Sequence, residues 1–277
     1  MRKIWIMIAV FVILLIPGKT FAFNTQTGFK IPQEEYEKLS LFYTPEYITT
    51  MSYDEYLYFQ SLEINPENVV RISKYYKVVT NNITKEVDKE EITEEEYEAY
   101  EVPENNRSYY FDTAYQKMVL TLAHNSDTSN YFSYTGIWKT MPSVRSYDDI
   151  GGRFIGFNLV SGSQSGRQIY TKNGVVYSID YNWGGTNSQY FSNGYGISMN
   201  LVNDDITTLQ CTTSVSMSVD FYPAFVFGAY EHATDYITLS QAQDYTIGNG
   251  AGGVFIFGST ATGHYDGMNG ISVHITS

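Results

Sequence analysis

The chain has 277 residues, of which 43% are hydrophobic and 17% charged, so it can bury a substantial core and is too apolar to be wholly disordered. Its net charge of −13 argues against nucleic acid and anionic membranes as partners, because neither attracts it electrostatically. Cys211 is the only cysteine, which excludes an intrachain disulfide. Aromatic residues reach 16%, mostly tyrosine, and this favours β-sheet.

The N-terminus has the three-part pattern of a secretory signal peptide. Arg2 and Lys3 form a positive start, residues 4–16 form an uninterrupted apolar run, and Thr20-Phe21-Ala22 supplies small residues at the cleavage positions. The apolar run is shorter than the ~20 residues that a spanning helix needs. We therefore predict that residues 1–22 are a signal peptide and that the protein is secreted, either extracellular or loosely associated with the cell surface. An uncleaved N-terminal anchor is the alternative.

Residues 23–104 are predicted to form an acidic helical region with one or two strands. Residues 31–104 hold 18 of the 30 acidic residues. Thr44 before a proline indicates one helix start. Ser52 and Thr93 indicate two more, because each is followed three residues later by the glutamate of a capping box. The β-branched and aromatic run at residues 69–79 predicts a strand between these helices.

Residues 105–277 are predicted to form a β-sandwich. Turn clusters such as Lys172-Asn173-Gly174 separate about ten apolar segments, which is typical of sandwiches and barrels. The clearest strand, residues 207–221, alternates apolar and polar side chains. This predicts one buried and one solvated face, with a bend or bulge near Thr212 and Thr213. The fold class is thus predicted to be mainly β, an antiparallel, jelly-roll-like β-sandwich preceded by a small helical N-terminal region.

A distinctive motif begins at Trp138 and reads Trp-x-x-Met-Pro-x-x-Arg-Ser-aromatic-Asp, ending at Asp148. In this motif the chain resembles a group of uncharacterised secreted proteins of Gram-positive bacteria. The resemblance covers the β-region and implies secretion, without implying an activity. Arg145 precedes Asp148 and Asp149 by three and four residues, close enough to pair with them and stiffen a turn. The alternative is a ligand site formed by Arg145 and nearby aromatic residues.

The histidines offer a second set of candidates. His232 follows Glu231, and His264 lies in a glycine-rich segment two residues before Asp266. The chain has no histidine or cysteine spacing typical of zinc, no nucleophile elbow and no phosphate loop, so we predict neither a metal nor a cofactor. The candidate ligand-binding residues are Trp138, Arg145, Asp148, Glu231, His232 and His264. Alternatively, these residues only fix loops or occupy the interior.

Three functions are compatible with these features. A secreted or cell-surface binding module without catalytic activity, for carbohydrate or a surface protein, fits the export signal and the many tyrosines. A secreted hydrolase would need two acidic or histidine side chains to meet in a pocket. A membrane-acting, toxin-like β-protein would use the alternating strand at residues 207–221 to cross a bilayer, and only in this case is a membrane a partner. Catalysis is the less favoured reading.

Overall fold

The structure is a computed structural model that describes residues 22–84, 86–100, 111–248, 253–266 and 270–276. The predicted signal peptide, residues 1–22, lies outside the described residues except for its last residue. Within the described ranges, no helix is both long enough and apolar enough to cross a membrane.

Strands make up most of the regular structure. They are β1 (Ala22–Asn24), β2 (Lys30–Pro32), β3 (Val69–Asn81), β4 (Val87–Ile92), β5 (Phe111–Ser126), β6 (Ser129–Trp138), β7 (Tyr147–Ile155), β8 (Phe157–Leu159), β9 (Ser165–Lys172), β10 (Val175–Asn182), β11 (Ser188–Phe191), β12 (Gly194–Asn200), β13 (Thr208–Val219), β14 (Ala224–Glu231), β15 (Tyr245–Ile247), β16 (Phe255–Phe257) and β17 (Ile271–Ile275). The helices are α1 (Gln33–Ser40), α2 (Pro45–Thr50), α3 (Tyr53–Ser61), α4 (Glu94–Ala99) and α5 (Leu239–Ala242), with a 3-10 turn at Pro66–Asn68.

Two antiparallel sheets form the body of the protein. The larger has eight strands in the order β10-β9-β13-β6-β5-β3-β4, with β8 also paired to β13. The smaller has five strands in the order β11-β12-β7-β14-β17. Side chains from both sheets share one hydrophobic core, whose largest fully buried members include Phe132, Tyr134 and Trp138 from the larger sheet and Tyr195 and Tyr230 from the smaller. The predicted fold class, mainly β and antiparallel with a small helical N-terminal region, is confirmed.

The N-terminal helices begin where the sequence predicts. The Thr44 hydroxyl accepts the Tyr47 N–H at 3.2 Å at the start of α2. Ser52 and Thr93 each form a reciprocal capping box with the glutamate three residues on. A cap of this kind contributes about 1 kcal/mol, because it satisfies N–H groups that a helix start leaves without a partner.

Strand β13 differs from its prediction, because both of its faces are buried. Its polar side chains lie beneath the segment 33–61, where the Tyr58 hydroxyl hydrogen-bonds with Ser216 at 2.6 Å and Thr44 with Gln210 at 3.0 Å. The predicted solvated face is therefore wrong, since the helices cover it. No bulge lies at Thr212 and Thr213, because the pairing of β13 with β6 runs through both residues without a register shift.

The larger sheet also crosses the predicted division between residues 104 and 105. Strand β3 lies before that division and β5 after it, yet the two pair from Val69↔Ala123 to Asn81↔Phe111. The division itself lies outside the described residues. Acidic residues are dense on β4, which is an edge strand, and an edge strand presents side chains and backbone to water. Strand pairing therefore continues from one side of the predicted division to the other.

Candidate functional site

Three of the predicted site residues meet, but they do so in the interior. The Asp148 carboxylate is 1% exposed and accepts hydrogen bonds from His232 Nδ1 at 2.9 Å, the Tyr230 hydroxyl at 2.6 Å and the Ala233 N–H at 3.0 Å. Trp138 donates its indole N–H to the same tyrosine hydroxyl at 3.1 Å. We call these residues the Asp148 network, which fastens β6, β7 and the end of β14 together.

The charge of the Asp148 network is balanced by pairing. Burial opposes the charge on His232, but the neighbouring Asp148 raises the pKa of the imidazole above its usual value. The His232 backbone N–H donates to Asp266 at 3.1 Å, and the Lys89 ammonium lies 3.8 Å from the same carboxylate oxygen. Because the His232 and Asp148 side chains are 4% and 1% exposed, a soluble ligand does not reach this pair. The arrangement stabilises the fold.

The other predicted residues lie elsewhere. Arg145 donates to the carbonyl oxygens of Val202 at 3.2 Å and Asp204 at 2.6 Å, so it holds a loop. Arg145 was predicted to pair with Asp148, but the hydrogen bonds of the Asp148 carboxylate come from the members of the Asp148 network. His264 is partly exposed, with Nδ1 3.9 Å from an Asp235 oxygen. Glu231 is buried, opposite Asp149 in the β14–β7 pair. The six predicted residues thus do not line one open site.

An open cleft of 460 Å³ lies between α3 and the strands β9 and β10. We call it the α3 cleft, and the residues that define its chemistry are Tyr47, Glu55, Tyr58, Arg167, Asp180 and Trp183. Its volume falls within the roughly 300–1,000 Å³ of ordinary small-ligand pockets. Aromatic and charged side chains both line it, so the cleft offers apolar contact and hydrogen bonding together.

Arg167 organises the charged part of the α3 cleft. It lies opposite Asp180 in the β9–β10 pair and donates to that carboxylate at 2.5 Å, and its other arm lies 2.9 Å from Glu55. The guanidinium also lies over the Tyr47 ring, 4.8 Å from its centre. Burial alone would lower the pKa of Arg167, but Tyr47, Glu55 and Asp180 outweigh it and raise that pKa above its usual value. The cation is therefore permanent, and it holds two carboxylates in place.

Two aromatic rings flank this ion-paired group. Tyr58 on α3 is 40% exposed and Trp183, after β10, is 42% exposed, which leaves ring surface available to a ligand. Trp183 sits in a tight turn closed by the Gly185 N–H donating to the Asn182 carbonyl at 3.0 Å. Its ring packs 4.0 Å from the ring of Tyr190. The indole is thus held at the rim by a turn on one side and an aromatic neighbour on the other.

Gly184 gives this turn its shape. Its φ is +73°, in the region that favours glycine, and a Cβ added there would meet no neighbouring atom within 4 Å. We expect Gly184→Ala to lower the free energy of unfolding by about 1 kcal/mol through backbone strain alone, as measured by urea denaturation. Gly184→Asn is the matched control, because asparagine tolerates this conformation. Equal stability of the alanine variant and the wild type would contradict this account of the turn.

Most residues of the α3 cleft carry no feature in the sequence that marks them as part of a site. Asp180 is visible as one of several acidic residues, but its partner Arg167 lies in a strand and Glu55 looks like a capping residue. The Glu55 carboxylate does serve the Ser52 cap, at 3.4 Å, and it also accepts from the Tyr47 hydroxyl at 2.6 Å. The one local signal is a bulky tryptophan followed by two glycines, which marks an aromatic residue at the tip of a turn.

The two carboxylates of the α3 cleft share one guanidinium. Asp180 accepts a hydrogen bond from Arg167, and Glu55 lies 2.9 Å from the same guanidinium and accepts one from the Tyr47 hydroxyl. Over the described ranges, no group of three or more histidine, cysteine, aspartate or glutamate side chains is arranged to hold a metal ion.

No protein-family model matches the chain, and no curated protein matches it. Among solved structures, it is similar to the enzymatically active domain of tailspike protein 4 from bacteriophage CBA120, at 11% sequence identity over 61% of this chain. This chain spans 20% of that chain, and the TM-score is 0.22. A likeness this distant supports no statement about the function of this chain.

Proposed function

We propose that the protein is a secreted, non-catalytic binding module that recognises carbohydrate in the α3 cleft. The observation that carries the proposal is the placement of two exposed rings, Tyr58 and Trp183, beside the ion-paired group Glu55–Arg167–Asp180. Secretion is supported by the signal-peptide pattern at residues 1–22.

Sugars present both of the surfaces that such a cleft can contact. The C–H face of a pyranose ring is apolar and flat, and it packs on an exposed aromatic ring. Its hydroxyl groups can donate to the carboxylates of Glu55 and Asp180. Because Arg167 fixes both carboxylates, little side-chain entropy is lost when a ligand binds. A cleft whose side chains are already fixed suits a ligand that binds through many weak hydrogen bonds.

Charge narrows the range of partners. The chain has a net charge of −13, and the α3 cleft adds Asp54 to its two ion-paired carboxylates. Polyanionic partners, including nucleic acid, are therefore disfavoured by repulsion. The membrane-acting alternative receives less support, because the Ser- and Thr-rich face of β13 that would have to meet lipid or a pore lies beneath the helices.

A glycan array followed by calorimetry on the purified protein tests the proposal. We expect selective binding of a set of glycans, and we expect Trp183→Ala to weaken it at least tenfold, which is about 1.4 kcal/mol. Tyr236→Ala is the matched control, because this tyrosine is 64% exposed and does not line the α3 cleft. No glycan binding, or equal loss in both variants, would contradict the proposal. Release of sugar from the bound glycan would instead identify a hydrolase.

A further inference from the structure

A second cleft adjoins the α3 cleft. It has a volume of 280 Å³ and is lined by Asn158, Ser161, Tyr190 and Ser192, among others. Trp183 and Gln164 line both clefts, so the two share a wall. On this shared wall, the Trp183 ring packs at a tilt of 50° against the ring of Tyr190, which lines the second cleft.

Size and lining indicate that the second cleft extends the first. Its volume lies just below the roughly 300 Å³ at which independent small-ligand pockets begin, so alone it is a poor site. Its polar groups are amides and hydroxyls, which hydrogen-bond to sugars as they do to other neutral ligands. A ligand long enough to cross the Trp183 ring would fill both spaces and contact that ring from above.

We infer that the two clefts are consecutive subsites for one linear oligosaccharide, with its chain crossing Trp183. This inference rests on the proposed function and deepens it by naming the ligand class. The subsites differ in charge. The α3 cleft holds Asp54, Glu55 and Asp180 against Arg167, whereas the residues that line the second cleft carry no charge. The sugar in the α3 cleft is therefore neutral or carries an amine, and a uronic acid is repelled.

A length series of one oligosaccharide chain tests the inference. The probe is the neutral glycan that binds best on the array, supplied as the monosaccharide and as chains of increasing length. We expect affinity to rise at least tenfold with length and then to reach a plateau once both subsites are filled. We also expect a chain of the same length that carries carboxylates to bind at least tenfold more weakly.

One variant distinguishes the contribution of the second cleft to affinity from that of the α3 cleft. Ser192→Trp fills the second cleft from an exposed position, so it should reduce the affinity of long chains to that of short chains and leave short chains unchanged. Equal affinity at every length, or equal loss for short and long chains at unchanged melting temperature, would overturn the inference while leaving a single sugar site. Failure of the wild type to bind any length would overturn the proposed function as well.

Discussion

Replacing Asp148 with asparagine should lower the free energy of unfolding by about 3 kcal/mol, the lower end of the loss seen when one member of a buried ion pair is removed. The change removes the counter-ion that favours the charged form of the buried His232, and it weakens the acceptor for Tyr230 and the Ala233 N–H. Urea denaturation measures the loss. The pKa of the His232 imidazole, followed by NMR, should fall towards or below its usual value in the same variant.

The adjacent Asp149 is the matched control. Burial raises the pKa of this carboxyl well above its usual range, which favours the protonated form, and that form can donate or accept like an amide. The folded chain then holds a proton that the unfolded chain releases above about pH 4, and this group lowers stability as pH rises. Asp149→Asn should therefore not destabilise at pH 7. A loss as large as that of Asp148→Asn would show that the two aspartates do not differ in this way.

The second large effect is expected in alkali, where the protein should unfold in a narrow pH interval above pH 10. Burial raises the pKa of many tyrosines well above the usual value, and the set includes Tyr43, Tyr47, Tyr134, Tyr230 and Tyr245. These hydroxyls stay protonated in the folded state but ionise near pH 10 in the unfolded state. Stability is therefore intact below pH 10 and is lost above it.

The size of the alkaline effect follows from the number of groups. Each contributes a loss of ~1.4 kcal/mol per pH unit, so these five alone contribute about 7 kcal/mol per unit, which is comparable with the whole stability of a domain. Circular dichroism and tyrosinate absorbance should change together, with several protons released per molecule, since further buried tyrosines such as Tyr195 also have a raised pKa. A gradual titration of tyrosines in a protein that stays folded would contradict this expectation.

Tyr134→Phe provides the control for the alkaline transition. Among the residues that the structure describes, the Tyr134 hydroxyl is buried and has no hydrogen-bond partner. Removing it takes away a desolvated polar group, so the variant should be at least as stable as the wild type. It should also release about one proton fewer in the transition and unfold at slightly higher pH.

The sequence was a good guide to elements whose cause is local. The caps at Thr44, Ser52 and Thr93 and the hairpin at Lys172-Asn173-Gly174 depend on residues three or four apart, and all are found in the structure. Cys211, which lies in the apolar alternation of β13, is buried in the core at 0% exposure.

The sequence was a poor guide wherever a distant segment decides the environment. The alternation in β13 correctly identifies two faces, yet it cannot show that the segment 33–61 covers the polar one. The same limit applies to the α3 cleft, because Glu55 and Asp180 meet only through Arg167. Trp138, Asp148 and His232 are likewise close together only in the folded chain, where they lie in the interior and contribute to its stability.

The cover that the helices place over β13 also affects the order in which the chain can fold during synthesis. The Tyr58 hydroxyl and Ser216, which hydrogen-bond across this cover, are 158 positions apart. The tyrosine-rich helices are synthesised first. Their contacts with β13 can form only after that strand has been synthesised, and until then part of their apolar surface is exposed. A chain stopped before β13 would already offer Tyr131 of β6 to Phe59 of α3, but it would lack the Ser216 and Gln210 side chains to which Tyr58 and Thr44 hydrogen-bond.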